Sequence, residues 1–313
     1  MNKIHLLDNG LINKIAAGEV VERPASVVKE LMENSIDAGA TSITVEIAEG
    51  GTSVIKITDN GKGIPKDEIR TAFMRHATSK IDSFEDLENV LTLGFRGEAL
   101  SSIASVAQVE MLTRTESDSM GTRIVINGGV VDREEECAAN VGTVFYVKNI
   151  FFNTPARRKF LKKPATEGSY ISEIVNRIAL GHPNIAIKYI NNGNIVLQTN
   201  GDGNVKNSLF YIYGKDIASK MLNLESEKEG YILKGLVGKP ELSRGNRNYE
   251  NFFINGRFIK STLVQNAVED AYKNKIMIGK FPIFALNLIV PSNTVDVNVH
   301  PTKLEVRFSD ENF

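Results

Sequence analysis

The chain has 313 residues, 42% hydrophobic and 24% charged, with a formal net charge of −1. That length fits one large or two medium domains with a full core, and the near-neutral balance excludes a protein that coats nucleic acid by bulk charge while allowing a local basic patch. The single Cys137 excludes an internal disulfide and fits a reducing compartment. The opening MNKIHLLDNGLINKIAAGEV is too polar for a signal peptide. The longest apolar runs, such as FALNLIV, fall far short of a membrane span. A cytosolic protein without membrane contact is expected. His5, His76, His182 and His300 lack a second ligand at metal spacing.

The first element expected is a helix over SVVKELMENSIDAG (26–39), with Pro24 just before it and Ser26 as N-cap. Glu30, Asn34 and Asp37 recur at i, i+4 and i+7 and share one face, while Val27, Val28 and Leu31 form the apolar side. Such a row is either a solvated face or a catalytic stripe turned toward a charged ligand. In the second case Glu30 could deprotonate water. Asn34 could offer its carboxamide oxygen to magnesium, a hard cation that prefers oxygen.

Two alternating runs around Gly50-Gly51 predict a hairpin, ending at Asp59. The following NGKGIP leaves the sheet through Gly61 and Gly63, which permit sharp turns and close approach to a ligand. A carboxylate at such a strand end could accept from an amino group such as that of adenine; alone, it could equally be a polar hairpin exit. KDEIRTAFMRHAT (66–78) reads as a helix, followed by polar turns, a short helix, a loop bracketed by glycines and another helix up to Ala107. Within it, RHATSKI and LGFRGEAL place Lys80 and Arg96 near a helix start, whose exposed N–H groups favour anions. Neither a P-loop nor a dinucleotide fingerprint occurs.

Strands are expected around QVEMLTRT, TRIVING and GTVFYVKNI, then a helix over ATEGSYISEIVNRIALG and a second hairpin with an Asn-Gly turn in IAIKYINNGNIVLQT. Between them, NTPARRKFLKK packs Arg157, Arg158, Lys159, Lys162 and Lys163 into seven positions, a phosphate-contacting patch or a solvated helix start at Pro155. The Gly-, Asn- and Asp-rich stretch 200–208 marks the domain boundary, giving domains 1–203 and 204–313. Beyond it lie strands, a helix around STLVQNAVEDAYKN and the strands FALNLIV and TVDVNVH, with Lys303 in a tight loop. The mixed order of helices and strands predicts an α+β layered sandwich rather than a parallel doubly wound sheet.

Taken together, AAGEVVERPASVVKELMENSIDAGA, DNGKGI, HATSKI, LGFRGEALSSI, NTPARRKFL and VDVNVHPTKLEVRF resemble, in order, the N-terminal region of the MutL family of DNA mismatch-repair proteins. The first two motifs belong to a wider ATPase superfamily with gyrase B, heat-shock chaperones and histidine kinases. The resemblance implies a two-layer ATP-binding α/β sandwich with a mixed sheet and a smaller second α/β domain resembling a ribosomal-protein fold. It implies Glu30 as general base, Asn34 as magnesium ligand and Asp59 as adenine reader. Ala38, Gly63 and Thr143 fall in nucleotide-contacting motifs. Thr78, Ser79, Lys80 and the run Gly94, Phe95, Arg96, Gly97, Glu98, Ala99 and Leu100 resemble a phosphate-covering lid. Lys303 resembles the second-domain lysine that reaches the terminal phosphate.

The resemblance further implies slow, Mg-dependent ATP hydrolysis coupled to homodimerisation, with residues up to about 20 ordering across the partner, and to DNA and repair-protein binding. The runner-up is a DNA clamp holding ATP as a structural ligand. Arg157, Arg158, Lys159, Arg257 and Lys260 would then contact DNA. Ser261 and Thr262 stand where family members carry further cations, which points to a weaker or redistributed DNA contact. The family continues into a linker and a C-terminal dimerisation domain, in many members a nuclease. This chain is therefore expected to be an N-terminal fragment that does not cut DNA, located in the cytoplasm or on a bacterial nucleoid.

Overall fold

The computed structural model describes residues 17–18, 20–80 and 97–291, together with short strands at 295–296 and 307–308. The chain forms two compact units. One takes in the described residues up to 80, then 97–175 and 187–196; the other takes in 176–186 and the described residues from 197 onward.

In the first unit, helix α1 (Pro24–Asp37) begins two residues earlier than expected. Arg23 is the N-cap, Pro24 holds the first turn, and Ser26 lies inside the helix without capping it. Proline has its φ pre-set for a helix start and no N–H to leave unpaired, so the start moves upstream. Gly39, at φ +75°, ends the helix. Helix α1 lies on strands β1 (Ser42–Ala48) and β2 (Val54–Asp59) and buries Val27, Val28, Leu31 and Met32. The strands pair antiparallel with Ile47 opposite Ile55, through the expected glycine turn.

The helix expected over 66–78 is only a 3₁₀ turn, Lys66–Glu68, followed by α2 (Ile69–Ala72). Within these two pieces only Ile69 is buried, and Met74 is 58% exposed. With one anchoring side chain, further turns lack the packing that offsets helix ordering. Helix α3 (Ala99–Val106) packs on β3 (Gln108–Arg114) and β4 (Gly121–Asn127). Then come β5 (Val130–Cys137), β6 (Gly142–Lys148), α4 (Pro155–Phe160), α5 (Pro164–Gly181), β7 (Ala186–Asn191) and β8 (Asn194–Gln198). The β7–β8 turn has Asn192 and Gly193 both at positive φ, as a tight Asn-Gly hairpin requires.

The sheet order is β5-β4-β3-β6-β2-β1-β7-β8. Its inner face is apolar and faces α1 and α3. Its outer face carries a charge ladder across strands: Lys56–Glu46 at 2.7 Å, Lys148–Glu110 at 3.0 Å, Arg123–Glu110 at 2.8 Å and Arg123–Glu135 at 2.6 Å. Strand β5 was not expected. It is an edge strand, largely exposed, and its DREEE run blunts edge pairing while hiding the strand from a hydrophobic pattern.

The second unit contains α6 (Val205–Tyr213), α7 (Lys215–Ala218), β9 (Met221–Lys228), β10 (Tyr231–Gly238), β11 (Glu250–Ile254), β12 (Arg257–Phe258), α8 (Thr262–Ala271) and β13 (Phe284–Ile289). Asn204 caps α6 by accepting from the Lys206 N–H at 2.9 Å. The sheet order is β12-β11-β13-β10-β9, mixed because β11 and β13 run parallel. Alternation sends Phe253 into one cluster with Leu209, Met221 and Leu236, and Phe252 into another with Ile254, Phe284 and Leu286. The strands β14 (Val295–Asp296) and β15 (Arg307–Phe308) pair antiparallel.

Glu250 opens β11 with its side chain fully buried. Burial, then the nearby Glu269 carboxylate, pushes its carboxyl up to about 7, against the opposing pull of Arg247 and of the Gln265 amide at 3.2 Å. A raised carboxyl is neutral in both states at low pH and becomes a buried charge only in the folded state. Stability is therefore intact below about 4.5 and lost as pH climbs through about 7. Glu250→Gln is expected to melt close to the parent at pH 5 but above it at pH 8.5, by a difference on the order of 3 kcal/mol. Thermal unfolding at both pH values checks this.

Candidate functional site

Inward-facing residues alternate along β2, β3, β4 and β6. On β2 they run Ile55, Ile57, Asp59; on β6, Val147, Phe145, Thr143; on β3, Val109, Met111, Thr113; on β4, Ile126, Ile124, Thr122. Register sets Asp59 opposite Thr143, Thr143 opposite Thr113, and Thr113 opposite Thr122. The apolar face of the sheet therefore ends in a polar row across four strands.

Asp59 is only 8% exposed. Its Oδ2 accepts from Ser35 Oγ at 2.8 Å and its Oδ1 from the Gly61 N–H at 2.9 Å. Burial dominates and raises its carboxyl above the usual range, although the bonds from Gly61, Ser35 and the Thr143 backbone work the other way. Thr113 Oγ1 accepts from the Ile64 N–H at 2.9 Å and lies 3.1 Å from Thr143 Oγ1. The Lys62 N–H donates to the Ala38 carbonyl at 3.0 Å, fastening the NGKG loop to the end of α1. Two glycines are obligatory here. Gly63 has φ +72° and a Cβ there would meet the Arg114 carbonyl at 2.2 Å; Gly142 has φ +114° and its Cβ would meet the Asp59 carbonyl at 2.2 Å.

The polar stripe of α1 adjoins this floor. Lys80 Nζ lies 3.1 Å from Asn34 Oδ1 and 2.6 Å from Asp37 Oδ2. Two oxygens from successive turns thus already close on one ammonium, and oxygen donors of this kind suit a hard divalent cation. The Glu30 side chain is 17% exposed and receives Lys29 Nζ at 3.2 Å. The Lys80 N–H donates to Thr78 Oγ1 at 3.2 Å, with Ser79 exposed between them. Gly97, at φ +60°, packs so closely that a Cβ would lie 2.5 Å from the Ala77 carbonyl. Glu98 reaches His76 Nδ1 at 3.4 Å just before Ala99 and Leu100 begin α3. The HATSK and GEAL segments therefore meet. Gly94, Phe95, Arg96 and Lys303 lie outside the described residues.

The expected basic patch is uneven. Arg158 and Lys159 are exposed on α4, which buries no residue. Arg157 is half-buried, with its guanidinium where a Cβ on Gly18 would stand. In the second unit Arg257 is 8% exposed, whereas Lys260 is exposed. Ser35, Lys29 and Thr113 escaped the sequence reading. The available signal was alternation: each inward strand position ending in a polar residue, and Ser35 next to Asn34 but turned toward the sheet.

Residues 22–141 match a family model described as histidine kinase-, DNA gyrase B- and HSP90-like ATPases, and residues 209–313 match one described as DNA mismatch repair protein, C-terminal domain. The DNA mismatch repair protein MutL of Agathobacter rectalis is 54% identical over 312 residues, which is 100% of this chain and 48% of that protein. MutL of Caldanaerobacter subterraneus subsp. tengcongensis is 49% identical over 99% of this chain and 53% of its own length. The chain thus spans about half the length of the curated relatives it matches. Among solved structures, the Aquifex aeolicus MutL ATPase domain complexed with ADP is 28% identical with a TM-score of 0.67, over 87% of this chain and 93% of that one. The N-terminal domain of a DNA repair protein, 23% identical with a TM-score of 0.79 over 96% of this chain and 93% of that one, shares the fold.

Removing the hydroxyl beneath Asp59 isolates a desolvated carboxylate from one of its donors. Ser35→Ala is expected to destabilise the first unit by about 1.5–3 kcal/mol, the range for a hydrogen bond to a charged group. Chemical denaturation at neutral pH measures it, and an unchanged midpoint would show that Ser35 does not support Asp59.

Proposed function

Because this chain belongs to the MutL family of DNA mismatch repair proteins, we propose that it binds ATP with magnesium and slowly hydrolyses it. In this reading domain 1–203 holds the nucleotide and domain 204–313 supplies Lys303 to the terminal phosphate. One observation carries it: a buried, hydrogen-bonded Asp59 at the end of a polar row, beside the oxygens of Asn34 and Asp37 gathered on Lys80. The ADP bound by the related Aquifex aeolicus domain supports the same reading.

Asp59 accepts a hydrogen bond from the adenine amino group, its three protein donors leaving a lone pair on the carboxylate for it. Ala38, Gly63 and Thr143 shape the base pocket around it. Thr78, Ser79, Lys80 and residues 94–100 cover the phosphates, with Lys80 exchanging the Asn34 carboxamide and the Asp37 carboxylate for phosphate oxygens. Asn34 holds magnesium, which when bound neutralises phosphate charge. Glu30 orients the attacking water and takes its proton. Nucleotide state is coupled to dimerisation and to binding of DNA and repair proteins in the cytoplasm. Arg158, Lys159, Lys162, Lys163 and Lys260 are exposed cations suited to DNA phosphates.

Glu30→Ala is expected to retain ATP binding and lose about 10²–10⁴ in turnover, the usual contribution of a general base. Steady-state hydrolysis decides: turnover within a few-fold of the parent rejects Glu30 as base. Asp59→Asn presents an amide donor to the adenine amino group and is expected to weaken ATP binding at least about tenfold, or ~1.4 kcal/mol. Equal affinity of the parent for adenine and guanine nucleotides would remove the adenine-reading role.

A further inference from the structure

Helix α1 carries two charged residues, Lys29 and Glu33, that the proposed chemistry does not use. Lys29 Nζ lies 3.2 Å from Glu30 Oε1, 3.2 Å from Glu33 Oε1 and 3.3 Å from Glu33 Oε2. The side chains of Lys29, Glu30 and Glu33 are 21%, 17% and 9% exposed. An exposed i,i+4 pair on a helix adds little stability and leaves both side chains mobile. This arrangement differs in two ways. A carboxylate as buried as Glu33 needs a cation beside it. Contact with both Glu33 oxygens also pins the ammonium, which leaves Lys29 little freedom to release Glu30.

We propose that Lys29 is a positioning residue for ATP hydrolysis: anchored on Glu33, it fixes the orientation of the Glu30 carboxylate. The inference rests on the assignment of Glu30 as the base. A glutamate has three side-chain torsions, and a base must point within hydrogen-bond reach of its water. A supporting residue that locks the torsions raises the fraction of productive orientations without touching the nucleotide. An ammonium at this distance also favours the charged form of a carboxylate, the only form able to take a proton. Burial works to lower the Lys29 amine, but Glu33 and Glu30 outweigh it and hold the amine above its ordinary value, so the bridge keeps its positive charge.

The test compares kcat, KM for ATP, nucleotide affinity and Tm across Lys29→Met, Lys29→Arg, Lys29→Met/Glu33→Gln and Glu30→Ala. Lys29→Met is expected to lower kcat about tenfold, a part of the general-base contribution, with KM and nucleotide affinity unchanged. Lys29→Arg is expected to restore most of the rate, since a guanidinium can bridge two carboxylates. The double variant removes Glu33's charge together with its partner, so it remains folded even if Lys29→Met does not, and it is expected to show the same kcat loss. A parental kcat in Lys29→Met or in the double variant overturns the proposal. So does a kcat loss matched by equal losses of nucleotide affinity and Tm, the pattern of a merely structural ion pair. If Glu30→Ala turns over like the parent, the base assignment itself has failed. If Glu30→Ala is inactive while Lys29→Met is parental, only the role of Lys29 has failed.

Discussion

The site depends on one desolvated carboxylate. Asp59 occupies an inward position of β2, where the two preceding inward residues are Ile55 and Ile57. Its charge is tolerable only because donors converge from three places: α1 through Ser35, the glycine loop through Gly61, and the neighbouring strand through the Thr143 backbone. Each donor ties Asp59 to an element that the site needs. The helix brings Asn34, the loop brings Gly63, and the strand brings Thr143. Removing the carboxylate would take away the acceptor around which these elements are assembled, and with it the proposed adenine contact.

Helix α1 has a divided role. Val27, Val28, Leu31 and Met32 fix its position on the sheet through apolar burial. That leaves Glu30, Asn34 and Asp37 no freedom to turn elsewhere, because a helix cannot rotate without exposing its apolar stripe. Charge on the polar face is handled locally: Lys29 serves Glu30 and Glu33, and Lys80 serves Asn34 and Asp37. Both lysines are largely shielded, so each interaction operates at lower dielectric than a surface pair. The face is thus ordered by cations belonging to the protein itself.

Much of this was readable in the residues. The i, i+4, i+7 stripe, both glycine-marked hairpins, the strand ending at Asp59 and the helix around residues 262–271 follow from periodicity and turn chemistry. What periodicity missed has physical causes. Strand β5 carries charge because it is an edge, and α6 hides in a stretch whose Gly, Asn and Asp content signals a turn. The helix over 66–78 was overread because composition cannot say that only Ile69 finds a core. The family resemblance offers Arg257 as a DNA contact, yet in β12 it is buried. The polar row itself needs register: Thr113 and Thr122 are unremarkable singly, Thr143 stands out only through a motif resemblance, and only strand pairing brings the three level with Asp59.

Such a row runs against stability. Aliphatic side chains at those four inward positions would each contribute about 1.5–3 kcal/mol from burial, and Gly63 and Gly142 surrender backbone entropy to reach conformations closed to other residues. The fold tolerates this because the polar row is confined to the strand ends, behind which each strand presents two or more buried aliphatic or aromatic residues in register. Local rules of good packing are broken at one level of the sheet and kept at every level behind it. That pattern is expected where a surface has been shaped for a ligand rather than for the fold alone. It also explains why the charged helix stripe and the strand-end carboxylate meet: both require the place where the core stops and polar groups can still be held by rigid elements on every side.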